Sequence, residues 1–271
     1  MKSHSIRQPV FFVSHGGGPW PWMPALRKQY MQLEQSLSQI LKGLTQQPQA
    51  ILMVSAHWEE RIFTVQGAQH PTMLYDYYGF PQETYAIDYP SSGHAELTKR
   101  VVEQLQAANI DISIDNSRGY DHGMFAPMQV INPKADIPVV QLSLKKGLDP
   151  MIHIILGRQL AKLREENILI IASGLTYHNL SQFNATAEKE SGLFDTWLNE
   201  TLVNYDTDIR NQRLIHWENA PAARFAHPRE EHLLPIMVAV GAAENEQAIR
   251  NYHESKFLGG ISVSGFQFGH L

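Results

Sequence analysis

Cysteine is absent from this chain, which removes disulfides, thiolate metal sites, iron–sulfur clusters and a cysteine nucleophile in one step. Any metal must then sit on histidine, aspartate or glutamate. An excess of positive charge is also missing: 22 Lys+Arg stand against 27 Asp+Glu, and no block of like charge breaks the pattern. Nucleic acid is therefore not an expected partner. Long apolar runs are lacking as well. The run from Val10 to Val13, behind Lys2 and Arg7, is shorter than the core of a signal peptide. The run from Leu233 to Ala243 is broken by Pro235 and is too short to span a bilayer. These absences predict a soluble, cytoplasmic protein with no membrane partner. With no repeat, low-complexity tract or linker, 271 residues at 43% hydrophobic composition fit a single domain over 1–271.

Short β-prone runs alternate with segments of helical period, which predicts an α/β fold with a central, mostly parallel sheet flanked by helices. The runs are "VFFVS" (10–14), "AILMVSA" (50–56), "PVVQLSL" (138–144), "ILIIAS" (168–173) and "ISVSGFQF" (261–268). Leu26, Tyr30, Leu33, Leu37, Ile40, Leu41 and Leu44 recur at helical steps and predict one buried helical stripe. A helix is expected after "PSSG" through "HAELTKRVVEQLQAA", capped by a serine, with others near 150–165, 188–205 and 230–242. The stretch from His70 to Pro90 is aperiodic and rich in Tyr, Pro and Gly, as site-lining loops often are.

Among 13 histidines, placement matters more than number. His15 follows "VFFVS", His57 follows "ILMVSA", and His178 lies just past "ILIIAS". Ligands of open parallel sheets bind beyond the carboxyl ends of strands, so these three imidazoles are expected to meet there. His122, in "GYDHGMFAP", and His232, in "HPREEHLLP", lie in unusual surroundings near a glycine and a helix start. Neutral imidazole is the commonest protein ligand for divalent metals, and Asp121, Glu230 and Glu231 are close enough in sequence to fix tautomers or to ligate. His227 either faces the site or stabilises the turn. His4, His70, His94, His153, His216, His253 and His270 have no comparable context and read as surface, cap or core residues.

Other chemistries can be weighed directly. "HGGG" at 15–18 resembles an esterase oxyanion loop, yet no G-x-S-x-G nucleophile motif accompanies it. Neither G-x-x-x-x-G-K-[ST] nor G-x-G-x-x-G is present. The glycines are instead expected to let backbone approach a metal-bound ligand. A zinc hydrolase or amidase stays open, because scattered histidine ligands also suit hydrolytic zinc.

Seven segments in fixed order resemble the class III extradiol ring-cleavage dioxygenases of the 4,5-DOPA type, relatives of the protocatechuate 4,5-dioxygenase catalytic subunit. They are "SHGGGPW" (14–20), "VSAHWE" (54–59), "YYGFPQETYAIDYP" (77–90), "YDHGMFAPM" (120–128), "VVQLSL" (139–144), "ASGLTYHNL" (172–180) and "HPREEHLLPIMVAVGAA" (227–243). The resemblance implies a metal site at the strand carboxyl ends, with His15, His57 and His232 as ligands. It also implies His178 as acid/base, or as a fourth ligand when zinc occupies the site, and His122 near substrate or dioxygen. Where protocatechuate-type relatives carry a glutamate ligand, this chain has His232, with Glu231 beside it.

The activity implied is cleavage of a DOPA-like catecholic ring by O2, with Fe(II) required for turnover and Zn(II) able to occupy the same site. Catechol and O2 are the implied small-molecule partners; neither the natural catechol nor the oligomeric state is specified. Trp20, Tyr78 and Phe80, with Trp22, Tyr75 and Tyr77, are candidates to wall the ring, Asp121 and Glu231 are candidate outer partners, and Arg118, Arg224 and Arg229 are candidate cations for a substrate carboxylate. A catalytically silent Memo-type metal-binding scaffold is the alternative from a different class.

Overall fold

The computed structural model describes residues 7–271, so Lys2 and His4 lie outside the described residues. Eight strands form one sheet: β1 (Val10–Ser14), β2 (Ala50–Glu60), β3 (Phe63–Gln66), β4 (Ile112–Asp115), β5 (Val139–Lys145), β6 (Ile168–Gly174), β7 (Ala248–Phe257) and β8 (Ile261–Phe268). Their order across the sheet is β4-β3-β5-β2-β6-β1-β8-β7. The central strands β5, β2, β6 and β1 are mutually parallel, whereas β8 joins β1 antiparallel and β7 joins β8 antiparallel. Every residue of β1 and β6 is buried, as expected of parallel strands covered on both faces, whose sequences are continuous apolar runs.

The fold agrees with the expected α/β class and differs in detail for local reasons. The stripe over Leu26–Leu44 buries Tyr30, Leu33, Leu37, Ile40 and Leu41, but the backbone breaks into short helices at Pro24–Arg27, Met31–Leu37 and Ile40–Gly43. One break falls at Ser38, whose hydroxyl donates to the Gln35 carbonyl at 2.8 Å and so competes with the helical ladder. The helix Ala95–Ala107 is capped by His94, not by serine: the Leu97 N–H donates to His94 Nδ1 at 3.0 Å. Ser91 is committed elsewhere, donating to the Ile137 carbonyl.

The strands β3 and β4 are four residues each, too short to leave a period in the sequence. The edge strand β7 buries only Ala248, Tyr252 and Phe257, so its charged sequence hides a strand with one face in water. The helix His122–Ile131 is buried on nearly every side and contains Pro127, which leaves no amphipathic signature.

His153 shows how a buried histidine serves the fold alone. Its Nδ1–H donates to the Asp149 carbonyl at 2.7 Å, and its Nε2 accepts from the Lys145 N–H at 3.2 Å. A protonated ring could not accept that second bond, and burial pushes the group from 6.5 down to about 4. Because the folded value lies below the unfolded one, the unfolded chain binds more protons between these two pH values. The contribution is complete above pH 6.5 and is lost as pH falls toward 4, at about 1.4 kcal/mol per pH unit. Urea unfolding at pH 6.5, 5.5 and 4.5 should therefore show the stability gap between wild type and His153→Gln narrowing at each step. A pH-independent gap would mean that the ring is not held neutral.

Candidate metal centre

The carboxyl ends of the central strands build one cluster. β1 ends at Ser14 and delivers His15, whose N–H donates to the Gly174 carbonyl at the end of β6. β2 does not stop before His57. It shifts register between Val54 and Glu59, and that irregularity lies across His57. His178 follows β6, while His232 arrives from the turn before the helix Leu234–Ala242 and accepts at its carbonyl from the Leu175 N–H. Gly174 permits that approach, since a Cβ there would lie 2.2 Å from the His232 carbonyl oxygen.

Inside the cluster, His57 Nε2 is 3.2 Å from His15 Nε2 and 3.3 Å from His232 Nε2. The opposite nitrogens are all committed. His15 Nδ1 contacts Ser173 Oγ at 3.1 Å, and because that hydroxyl donates to the Gly123 carbonyl, it accepts from the ring. His57 Nδ1 faces Asp76 Oδ2 at 3.2 Å, and His232 Nδ1 faces Glu231 Oε1 at 2.9 Å. Hydrogen bonds from the histidines help hold both carboxyls below their usual range against the opposing effect of burial; the ionised groups are acceptors only. The three imidazoles therefore carry their protons on Nδ1 and leave bare Nε2 atoms close together, that of His57 within 3.3 Å of each of the other two. A proton on one Nε2 could satisfy one of the two contacts at a time. A divalent cation satisfies both, and a nitrogen donor set of this kind suits iron or zinc.

The electrostatics favour neutral rings at His15 and His232 and positive charge at His57. Burial, and then the neighbouring histidines, hold His15 well below the usual imidazole range. Burial followed by the charges of His178 and His57 does the same for His232. For His57, burial pushes down, but the hydrogen bond to Asp76 and the charges of Asp121, Asp76 and Glu231 outweigh it and raise the group. Negative charge thus converges on the ring that stands between the other two.

Two further histidines flank the three. His178 stacks on His232 with ring centres 3.3 Å apart and sends Nδ1 to Glu231 Oε1 at 3.1 Å. His122 lies 4.0 Å from His57 between ring centres, and Asp76 Oδ1 accepts from its Nδ1 at 2.7 Å. His15, His57 and His122 form one group of convergent ligand atoms, and His178, Glu231 and His232 form another.

Other expected site residues stand differently. Asp121 accepts from Ser55, Arg118 and Gln141 and touches no imidazole ring by hydrogen bond. It braces the backbone behind His57, because Ser55 Oγ accepts from the His57 N–H and Arg118 donates to the His57 carbonyl. Trp20 is corrected from a substrate wall to a buried brace: it is 0% exposed, stacks on Tyr30 at 4.8 Å, and its indole N–H donates to the His15 carbonyl.

Gly16 and Gly18 have positive φ and make room for aromatic side chains rather than for a ligand. An added Cβ would meet Trp20 and Phe80 respectively. Tyr78 is 92% exposed and walls nothing in this structure. Phe80 packs edge-on to Tyr77, whose ring is 5.9 Å from His122. His227 is fully buried, and burial pushes it down to about 3; its Nε2–H donates to the Thr176 carbonyl, which fixes the turn. Glu230 is engaged by Arg224, and Arg229 is clamped to Glu59 by two hydrogen bonds. The sequence reading missed Asp76, one residue ahead of the matched segment 77–90, and it passed over Ser55, Gln141 and Ser173, which lie inside matched segments but carry no ligand or acid/base signal of their own.

The family profile described as the catalytic LigB subunit of aromatic ring-opening dioxygenase matches residues 10–266. The chain belongs to this family. It is 35% identical to the dioxygenase tasH of Hapsidospora irregularis, over 96% of this chain and 85% of that one. It is 34% identical to a 4,5-DOPA dioxygenase extradiol of Beta vulgaris, over 99% of both. A crystal structure of an uncharacterized Escherichia coli K12 protein superimposes with a TM-score of 0.73 at 28% identity, covering 97% of this chain and 100% of the other. As a LigB-family chain, the protein is an extradiol, ring-opening dioxygenase by descent, and its histidine group is that of a metal-dependent enzyme. Among the described residues, no helix is long and apolar enough to cross a membrane.

Proposed function

We propose that this chain opens a DOPA-like catecholic ring with O2, using ferrous iron held by Nε2 of His15, His57 and His232. The observation that carries the reading is the approach of His57 Nε2 to Nε2 of both His15 and His232 while every Nδ1 is tied to Ser173, Asp76 or Glu231. Bound ferrous iron supplies the Lewis acidity and the electrons that activation of O2 demands.

The protein's own groups handle binding and protons. His178, with Nδ1–H given to Glu231, presents a bare Nε2 that takes the proton from a catechol hydroxyl and later returns it during ring opening. Glu231 steadies the imidazolium that results, as a carboxylate behind a base does elsewhere. His122 presents its own Nε2 beside His57 and orients the reactants there. Tyr77 and Phe80, on the 70–90 loop, supply the aromatic wall.

Anaerobic reconstitution with Fe(II), then admission of O2 in an oxygen electrode with L-DOPA, protocatechuate or catechol, tests the reading. Iron-dependent uptake with a yellow ring-opened product is expected, and the Zn(II)-loaded protein should be silent. No turnover across a broad catechol panel, with iron verified at the site, would overturn it.

A further inference from the structure

The loop from His70 to Pro90 contributes an acid as well as aromatic rings. Its entry is pinned to the segment before His122: the Leu74 N–H donates to the Tyr120 carbonyl and the Tyr120 N–H to the Thr72 carbonyl, each at 2.7 Å. Its far limb is tied back by Tyr75, whose hydroxyl donates to the Ile87 carbonyl at 2.7 Å, and by Tyr77, whose hydroxyl donates to Thr84. Asp76 lies between these two tyrosines. Its Oδ1 accepts from both the His122 N–H, at 3.0 Å, and His122 Nδ1, at 2.7 Å. Its Oδ2 faces His57 Nδ1 at 3.2 Å. One carboxylate thus holds a metal-ligating ring from β2 and a second ring from the start of the helix His122–Ile131.

We infer that Asp76 is the positioning residue that fixes the tautomers of His57 and His122 together, and so ties the aromatic loop to the metal ligand set. With both Nδ1 protons facing the carboxylate, both Nε2 atoms turn inward as lone pairs: that of His57 to the metal, that of His122 to the reactants. Glu231 does the same for His232 and His178 on the other side. The centre is therefore gripped by two carboxylates, each shared between one ligand and one non-ligand histidine. Only the Asp76 grip comes from the loop that carries Tyr77 and Phe80, so a substrate ring pressing on that loop acts on the carboxylate behind a metal ligand.

This rests on His57 being a ligand as proposed above, and the experiment separates the two. Metal-free wild type, Asp76→Asn, Asp76→Glu, Tyr78→Ala and His57→Ala are titrated with Co(II) against a chelator of known affinity, reading both affinity and the visible spectrum. An amide can accept from His122 but offers its NH2 toward His57 Nδ1, which disfavours the ligating tautomer. Asp76→Asn should weaken Co(II) about 10–100-fold, the usual effect of losing an outer partner of a metal ligand, and change the spectrum. Asp76→Glu should recover most of that loss, while Tyr78→Ala, elsewhere on the loop, should match wild type.

If His57→Ala binds Co(II) as wild type does, the ligand assignment itself fails. If His57→Ala loses Co(II) while Asp76→Asn keeps wild-type affinity and spectrum, the ligand set stands and Asp76 is only a loop anchor. Histidine 15N–1H spectra of Zn(II)-loaded wild type need no variant: protons on Nδ1 of both His57 and His122 are expected, and a proton on Nε2 of His122 would overturn the inference.

Discussion

Replacing His232 with alanine should remove tight binding of divalent metal, with affinity falling on the order of a thousandfold or more. That exceeds the 10–100-fold typical of an outer partner, because one of three donors is gone and not merely misaligned. The backbone part of this residue survives the change, since the contact to the Leu175 N–H is made by the carbonyl. The fold should therefore persist, and the loss should appear in linkage. A ligand that binds only the folded state stabilises it by about 4 kcal/mol at a thousand times its Kd, so zinc should raise the melting temperature of wild type clearly and that of His232→Ala hardly at all. Equal shifts would remove His232 from the ligand set. Oxygen uptake by the iron-treated variant should be absent.

The second large effect is expected at His178. His178→Gln should lower kcat about 10²–10⁴-fold, the usual range for a positioned general base, while Fe(II) affinity stays within a few-fold of wild type. The separation follows from geometry: His178 stacks on a proposed ligand and shares its carboxylate, but His15, His57 and His232 meet without it. Single-turnover measurements on the iron-loaded variant distinguish slow chemistry from poor loading. A variant with full activity would move proton transfer to His122. A variant that loses iron with its activity would make His178 a ligand.

The legible parts of this protein were those set by short-range chemistry. Parallel strands buried on both faces leave apolar runs, so "VFFVS" and "ILIIAS" announced themselves, and residues following such runs must emerge at the carboxyl edge. That is why His15, His57 and His178 could be expected in one place before any coordinate was known. His232 could not be placed by that rule, because it arrives from a turn ahead of a helix; its setting in "HPREEHLLP" marked it as a candidate, and the family resemblance alone implied that it is a ligand. Asp76 was illegible for a related reason. An acid between tyrosines in an aperiodic loop carries no signal until the path of the loop brings it under two rings. Trp20 misled in the opposite direction, since an aromatic beside a ligand can wall a substrate or brace the backbone, and the choice depends on the space vacated at Gly16. The edge strand β7 was hidden by its own solvent-facing charges.

The three acids around the centre also set its net charge. Asp76, Asp121 and Glu231 are partly offset by Arg118, while Arg229 is largely committed to Glu59. With neutral imidazoles, the two negative charges that remain would balance one divalent ion held at the proposed site. A neutral catechol can enter without disturbing that balance, but a proton expelled to solvent during binding would leave an uncompensated negative charge behind, which is costly where water is scarce. The proton must then stay within the walls, on His178 or His122, and the loaded enzyme should take up its substrate with little net release of protons to the buffer.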